Sequence, residues 1–477
     1  MGREISESHF SEQHFLRFRE RMQAEQALLH RWFAGERWSN AAPVAGAELE
    51  AWLIDRNGEP LPINETYLQR LNDPQVVAEL ARFNIELNVA PQRLHGDALS
   101  QLQRELEQRW HRCDEVARAM DARLLMIGIL PTLRDDHLKP ENMSALQRYR
   151  ALNEQVLRTR KGMPIRLDIL GEEHLRSIHH DVMLESATTS FQVHLQVRAA
   201  EAARLFNASI VAAAATVAVA ANAPLLFGKR LWAESRIPLF EQSVEVGGYA
   251  GAARGPVKRV TFGSGYIRHS LEELYRENLE HYPVLLPVPL DEPLHRLPHL
   301  RLHNGTIWRW NRPLIGFDPD GTPHLRIEHR VMAAGPTPVD MIANAAFYYG
   351  LATALAHETP SPETRLPFPV ARDNFYAAAR FGFEATLQWL DGERRNIARL
   401  ILERLLPAAE EGLQRLAIAP EEIRHYLGII EERTRNRQNG AAWQRKFTER
   451  HGRDMHALTL AYLDHQQRAV PVHEWGL

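Results

Sequence analysis

The sequence predicts an α+β protein: an antiparallel β-sheet with helices packed on its outer face and a helical region toward the C-terminal end. Three patterns predict it. Apolar residues recur at every second position through Ala47 to Ile54, Ile85 to Val89, Phe191 to Val197 and Leu325 to Val331, the period of half-buried strands. Amphipathic helical spacing spans 9–33 and 97–122. From about residue 370 the chain turns helical and charged, with heptad-like Leu and Ile positions through 385–430 and a last helix near 442–465. The expected division is one domain over 1–369 and a helical region over 370–477.

In the helix over 97–122, Asp97 is the N-cap and Leu99, Leu102, Leu106, Trp110 and Cys113 share one face. This helix and that of 9–33 are expected to pack on the sheet. The run from Ile210 to Phe227 is mostly Ala and Val, but Asn222 and Pro224 interrupt it. It reads as a buried core helix ending at Asn222 rather than a membrane span. Asp318-Pro319-Asp320-Gly321 is a turn that joins Trp308 to Pro313 with the Leu325 strand in a hairpin.

Composition narrows the function classes. The 57 Lys and Arg nearly balance 60 Asp and Glu, so no bulk basic surface recruits nucleic acid or acidic lipid. Cys113 is the only cysteine, which excludes an internal disulfide and a cysteine-based zinc cage and fits a reducing, cytoplasmic setting. The first 35 residues carry charges every few positions and no apolar signal segment.

Residues i and i+2 of a strand share a face, so Glu48 and Glu50 project together. Glu86 and Asn88, Gln192 and His194, and Glu328 and Arg330 repeat that spacing on the other three strands. Four carboxylates and an imidazole on one face resist joint ionisation unless cations neutralise them. Oxygen donors with one nitrogen and no sulfur favour Mg²⁺ or Mn²⁺ over zinc, and magnesium leaves positions for substrate phosphates. Arg312 and Arg330, placed to meet across the hairpin, suit phosphate oxygens through their planar guanidiniums. Gly251 to Gly265, with Arg254, Lys258, Arg259 and Ser264, reads either as a phosphate-covering loop or as an ordinary exposed one.

At these residues the chain resembles the type-2 glutamate-cysteine ligase family and its carboxylate-amine ligase relatives. Five segments carry the resemblance in the family's order: Gly46-Ala47-Glu48-Leu49-Glu50; Ile85-Glu86-Leu87-Asn88 with Pro91; Ser190-Phe191-Gln192-Val193-His194; Ala221-Asn222-Ala223-Pro224 with Ser235-Arg236; and Trp308 to Pro313 followed by Arg326 to Arg330. The resemblance implies a glutamine synthetase-like, half-barrel-like catalytic sheet in 1–369. It implies Glu48, Glu50, Glu86, His194 and Glu328 as ligands of Mg²⁺ or Mn²⁺, and Arg312 and Arg330 as phosphate contacts. Arg236 would meet an amino-acid carboxylate, with Gln192 also in the substrate site. The implied reaction is ATP-driven joining of a carboxylate, the side chain of glutamate, to an amine of cysteine or another acceptor through an acyl phosphate. Small-molecule substrates are the expected partners, with no nucleic acid and no membrane. His329 stands where relatives carry Val, and Ala333 where they carry Asp, so the substrate is left open. Asn439-Gly440-Ala441-Ala442-Trp443-Gln444-Arg445 is similar to a late motif of amine-ligase relatives, with no role assigned by sequence. A phosphotransferase that stops before condensation, a metal-dependent hydrolase and a catalytically silent nucleotide-binding regulator are the alternatives.

Overall fold

A computed structural model describes residues 4–5, 9–35, 37–41, 43–246 and 258–477. Its centre is a seven-stranded sheet of β1 (Val44–Ile54), β2 (Val76–Ala78), β3 (Asn84–Arg93), β4 (Arg123–Leu125), β5 (Phe191–Val197), β6 (Asn311–Phe317) and β7 (Pro323–His329). The spatial order is β6-β7-β5-β1-β3-β2, with β4 paired to the far end of β1, and every pairing is antiparallel. The sheet curls into a half-barrel. Alternation sorts its faces: Leu49, Ala51, Ile85, Leu87, Val193, Leu195 and Ile327 are fully buried on one side, and the acidic residues occupy the other.

The helices that frame the sheet include α1 (Glu12–Ala34), α2 (Ala98–Arg118), α3 (Ala199–Ala220), α4 (Pro338–His357), α5 (Leu406–Arg415), α6 (Pro420–Arg435), α7 (Gly440–His451) and α8 (Met455–Gln467). The apolar face is covered by α3 and α4, which pack on each other and on β5. Helix α3 is long and apolar enough to cross a membrane, but 89% of its apolar window is buried inside the protein. The helix over 98–118 packs on β3 and β4 as expected. Helix α1 goes elsewhere. Its buried stripe of Phe18, Met22, Leu29 and Trp32 lies chiefly against two other helices, Glu272–His281 and Pro298–Gly305, and reaches the sheet only at its rim, where Trp32 meets Phe317. Periodicity fixes which face of a helix is buried, not what buries it.

The heptad-like stretch 385–430 also departs from expectation. Residues Thr386–Gln388 and Arg394–Asn396 form a short hairpin around Asp391-Gly392, where Gly392 takes φ +82. Asn396 then caps the helical segment that follows by accepting from the Ala398 and Arg399 N–H groups. An Asp-Gly pair between extended residues outweighs a loose heptad.

The region after residue 370 is built into the rest. Asn222 donates to Ala334 O and Tyr462 Oη, both at 2.7 Å, and Gln444 donates to Asn222 Oδ1 at 2.9 Å. Ala441 N–H donates to Ala221 O. The late motif therefore serves the fold, since Asn439 caps α7 and the helix seats itself on the Asn222 corner. Arg433 and Asp340 add a fully buried ion pair at 2.7 Å. Helices α4 and α5 meet backbone to backbone, and a methyl group on Gly412 would lie 1.8 Å from Gly350 O. Gly412→Ala is expected to lower stability by about 1–3 kcal/mol through forced separation of these helices, read as a shifted denaturant midpoint.

Candidate active site

Register brings the polar residues of five strands into rows. Arg312 faces Glu328, Glu328 faces His194, and His194 faces Gly46. Glycine opposite the imidazole leaves that point of the row without a side chain. One row along, Gln192, Glu48 and Asn88 align, and in the next Glu50 stands opposite Glu86. The five predicted ligands do converge on one face, but as two groups. Glu48, His194 and Glu328 form one; Glu50 and Glu86 form the other together with Glu79, and within each trio the donor atoms lie within 4.8 Å of one another. Glu79 follows directly after β2, whose three residues are too few to show an alternation.

A chain of polar contacts joins the groups. Arg312 grips Glu328 through two parallel bonds, Nε to Oε2 at 2.6 Å and Nη2 to Oε1 at 3.0 Å. Arg330 donates to Glu328 Oε2 at 3.1 Å and also to Gln192 Oε1. Gln192 passes the link on to Glu50 Oε1 at 2.9 Å, and the Ser190 N–H donates to Glu50 Oε2 at 2.7 Å. Both arginines thus meet across the predicted hairpin, with Glu328 between them. All three are nearly inaccessible to solvent.

Electrostatics separates the groups further. Burial works against ionisation of Glu328, but Arg312 and Arg330 overcome it and hold its carboxyl well below the usual carboxylate range. Burial also opposes the charge on Glu48, yet His194, 3.2 Å away, brings its carboxyl down to about 2. In the second group burial and the facing Glu86 push Glu50 up to about 7. Burial, then Glu86 and Glu50, carry Glu79 well above its ordinary value. In the first group the carboxyls of Glu48 and Glu328 are held low, Glu328 by two arginines, whereas in the second the carboxyls face one another. The donor sets fit divalent cations: Glu48 Oε2 and His194 Nδ1 are buried without a hydrogen-bond partner among the described residues, and His194 Nε2 lies 3.2 Å from Glu48 Oε1 and 4.0 Å from Glu328 Oε1.

The profile of glutamate-cysteine ligase family 2 matches residues 44–464, which takes in all seven strands and every residue of the two groups. The chain belongs to the glutamate-cysteine ligase family 2. None of the curated proteins matches it in sequence. Among solved structures, it is similar to a glutamate–cysteine ligase from Francisella tularensis in complex with AMP, at 11% identity and a TM-score of 0.52, over 91% of this chain and 89% of that one. A bifunctional glutathione synthetase from Pasteurella multocida gives a TM-score of 0.57 at 11% identity, over 93% of this chain and 55% of that one. At such identity these likenesses speak to the fold, a glutamine synthetase-like α+β architecture.

Two cavities flank the polar chain in this family member. A cleft of about 470 Å³ is lined by Glu48, His194, Arg312, Arg326 and Glu328. On the other side, Glu50, Glu79, Glu185, Arg236, Trp310 and Arg330 line a smaller one. Arg236 is buried there over Trp310 and donates to Val331 O at 2.6 Å. Its neighbour Glu234 accepts from the Asn222 N–H, which ties the Asn222 corner to this wall. Sequence reasoning passed over Glu185, which sits in a short 3₁₀ segment with no periodicity to expose it. His329 is accommodated by a buried network: its ring Nδ1 donates to Asn311 Oδ1 at 2.7 Å, its Nε2 meets Thr216 Oγ1 at 2.8 Å, and the ring stacks on Tyr348. Burial holds its imidazole down at about 3, hence neutral. Of the suggested phosphate-covering loop, Arg254 and the stretch 251–257 lie outside the described residues. Arg259 is buried, donating to Thr306 O and Pro283 O, so it packs inward and does not cover the site.

A pH dependence follows from Glu50. Its carboxyl titrates higher in the folded chain than in an unfolded one, so its contribution to stability is complete at acid pH and is lost as pH rises through about 7. In a chelator, melting temperature is expected to fall from about pH 6 to about pH 8, and added Mg²⁺ should remove much of that fall by supplying the missing countercharge. Thermal melts with and without Mg²⁺ measure both. Glu79→Gln should make the chelated protein less sensitive to pH over that range while weakening Mg²⁺ binding roughly tenfold or more, read by calorimetric titration.

Proposed function

We propose that this protein is an ATP-dependent carboxylate-amine ligase that activates a carboxylate, that of the glutamate side chain, as an acyl phosphate and transfers the acyl group to an amine. The observation that carries this reading is the pair of acidic groups joined through Arg330 and Gln192, one of them built on the guanidinium-clamped Glu328, each facing its own cavity. We assign the larger cleft to a nucleoside triphosphate and the side lined by Glu50 and Arg236 to the amino acid, with Arg330 between them. Family membership over 44–464 supports the ligase class.

Glu48, His194 and Glu328 would hold one divalent cation, Mg²⁺ or Mn²⁺, and Glu50, Glu79 and Glu86 another. Bound there, such ions supply neutralising charge and Lewis acidity toward phosphate oxygens. The protein's own contribution is positioning. Arg312 and Arg330, fixed by Glu328, present planar donors to phosphoryl oxygens without reorganising during transfer. Arg236 offers the counterpart for the carboxylate of an amino-acid substrate, and Gln192 orients Arg330 and Glu50 together. The donor carboxylate oxygen attacks the γ-phosphorus, the bond from that phosphorus to the β-bridging oxygen breaks, and ADP leaves. The amine nitrogen then bonds to the acyl carbon, the carbon–oxygen bond to phosphate breaks, and the nitrogen's proton departs with inorganic phosphate. No side chain becomes covalently attached.

Residues 1–369 are proposed to carry the chemistry, with 370–477 as a helical brace on Asn222 and Asp340. The setting is proposed to be cytoplasmic and the partners small molecules: ATP, glutamate and an amine.

Incubation with ATP, Mg²⁺, glutamate and a panel of amines, followed by mass spectrometry, tests the reading directly. ADP and a condensed amide should appear together; absence of ATP turnover with every pairing would overturn it. Arg312→Lys keeps the charge but loses the two-pronged grip, and is expected to reduce turnover about a hundredfold. Wild-type kinetics in that variant would remove Arg312 from the phosphate site. Glu328→Gln should abolish most ATP-dependent turnover and also lower the melting temperature, because two buried guanidiniums lose their shared countercharge.

A further inference from the structure

Beyond the amino-acid cavity lies a second chamber with a different character. It has a volume of about 130 Å³, close to the roughly 150 Å³ that accommodates a benzene ring in a protein core. Tyr149, Leu152, Leu286, Leu302 and Trp308 form most of its wall, and it shares two residues with the amino-acid cavity, Glu79 and Glu185. Tyr149 Oη stands 3.3 Å from Glu79 Oε2, so an aromatic wall begins where the acidic group ends.

Glu185 marks the junction. Its carboxylate makes no hydrogen bond or ion pair among the described residues, in contrast with Glu50, which lines the same cavity. Glu79 has protein donors in Tyr149 Oη and the Leu80 N–H. A partly buried acid that borders two cavities and makes no direct ion pair among the described residues is suited to an ammonium group arriving from outside. The chamber itself does not suit a second carboxylate. Arg148 is the one cation that borders it among the described residues, and it already donates to Ala78 O at 3.1 Å and Tyr149 Oη at 2.8 Å.

We propose that the acceptor is a primary amine bearing a compact apolar or aromatic group, its ammonium held by Glu185 and its apolar part filling the chamber bounded by Leu152, Leu302 and Trp308. The inference rests on the ligase reading and deepens it. Small polar amines and amino acids such as cysteine would leave the apolar wall wet, and a carboxylate on the acceptor would lie beside the carboxyl groups of Glu79 and Glu185. Burying a ring or branched chain there favours the apolar amine.

The test uses the full chain with Mg²⁺ and a non-hydrolysable ATP analogue, titrated calorimetrically with 2-phenylethylamine and with ethylamine. The larger amine is expected to bind at least about tenfold more tightly. Leu302→Asp, a change at a half-buried position that also borders the larger cleft, should erase that preference under an analogue concentration shown to saturate the variant, whereas Glu185→Gln should weaken both amines by roughly tenfold and leave their ratio unchanged. Equal affinity of the two amines for the wild-type protein, or a preference that survives Leu302→Asp, overturns the proposal. Turnover separates this inference from the reading beneath it, because hydroxylamine traps an acyl phosphate as a hydroxamate without needing the chamber. Hydroxamate formation with cysteine as a better acceptor than 2-phenylethylamine would overturn the acceptor class and keep the ligase. Loss of both hydroxamate and ADP with every carboxylate would overturn the ligase, while the binding ratio would still judge the chamber.

Discussion

A carboxylate held by two buried guanidiniums organises this site. Glu328 on β7 takes Arg312 from the neighbouring strand and Arg330 from just beyond its own strand, and Arg330 in turn reaches Gln192 on β5 and through it Glu50 on β1. Breaking such a group would strand charge in a place water does not reach, so each member keeps the others in one geometry. The result is a rigid polar seam across four strands. What lies on each side of it inherits a fixed orientation, which is the requirement for a reaction that depends on alignment more than on a reactive side chain.

The seam also divides two electrostatic regimes. Glu48 and Glu328 are ionised because histidine and arginine neighbours offset the burial of their charges. Glu50 and Glu79 face carboxylates instead, and burial together with those neighbours raises both above the ordinary carboxylate range. The assumption that acidic crowding afflicts the whole face equally is therefore too simple. One half is settled by the protein itself, and the other is the half that has most to gain from a cation.

Much of this was legible from strand alternation. Glu48, Glu50, Glu86, His194 and Glu328 each lie in runs long enough to show period two, and the Asp-Pro-Asp-Gly turn announced the pairing of Arg312 with the Glu328 strand. Glu79 and Glu185 were not legible for the complementary reason: one follows a three-residue strand and the other sits in a 3₁₀ turn, where no period exists to be read. The destination of α1 was hidden because an amphipathic stripe carries no address. The sequence shows His329 only as one of a strand's apolar-side positions, and its partners Thr216, Asn311 and Tyr348 reveal a neutral imidazole filling a polar niche. The late Asn439 to Arg445 motif was visible but mute until Asn222 appeared opposite it.

That contact has a consequence for biosynthesis. Asn222 anchors the wall that carries Glu234 and Arg236, yet two of its partners, Gln444 and Tyr462, are translated more than two hundred residues later. Until they leave the ribosome, the nascent sheet can pair its strands but cannot lock this corner, and the Asn222 amide must be satisfied by water. Completion of this wall is thus coupled to the synthesis of residues 440–467, so a ribosome stalled before them would display paired strands with an unlocked corner.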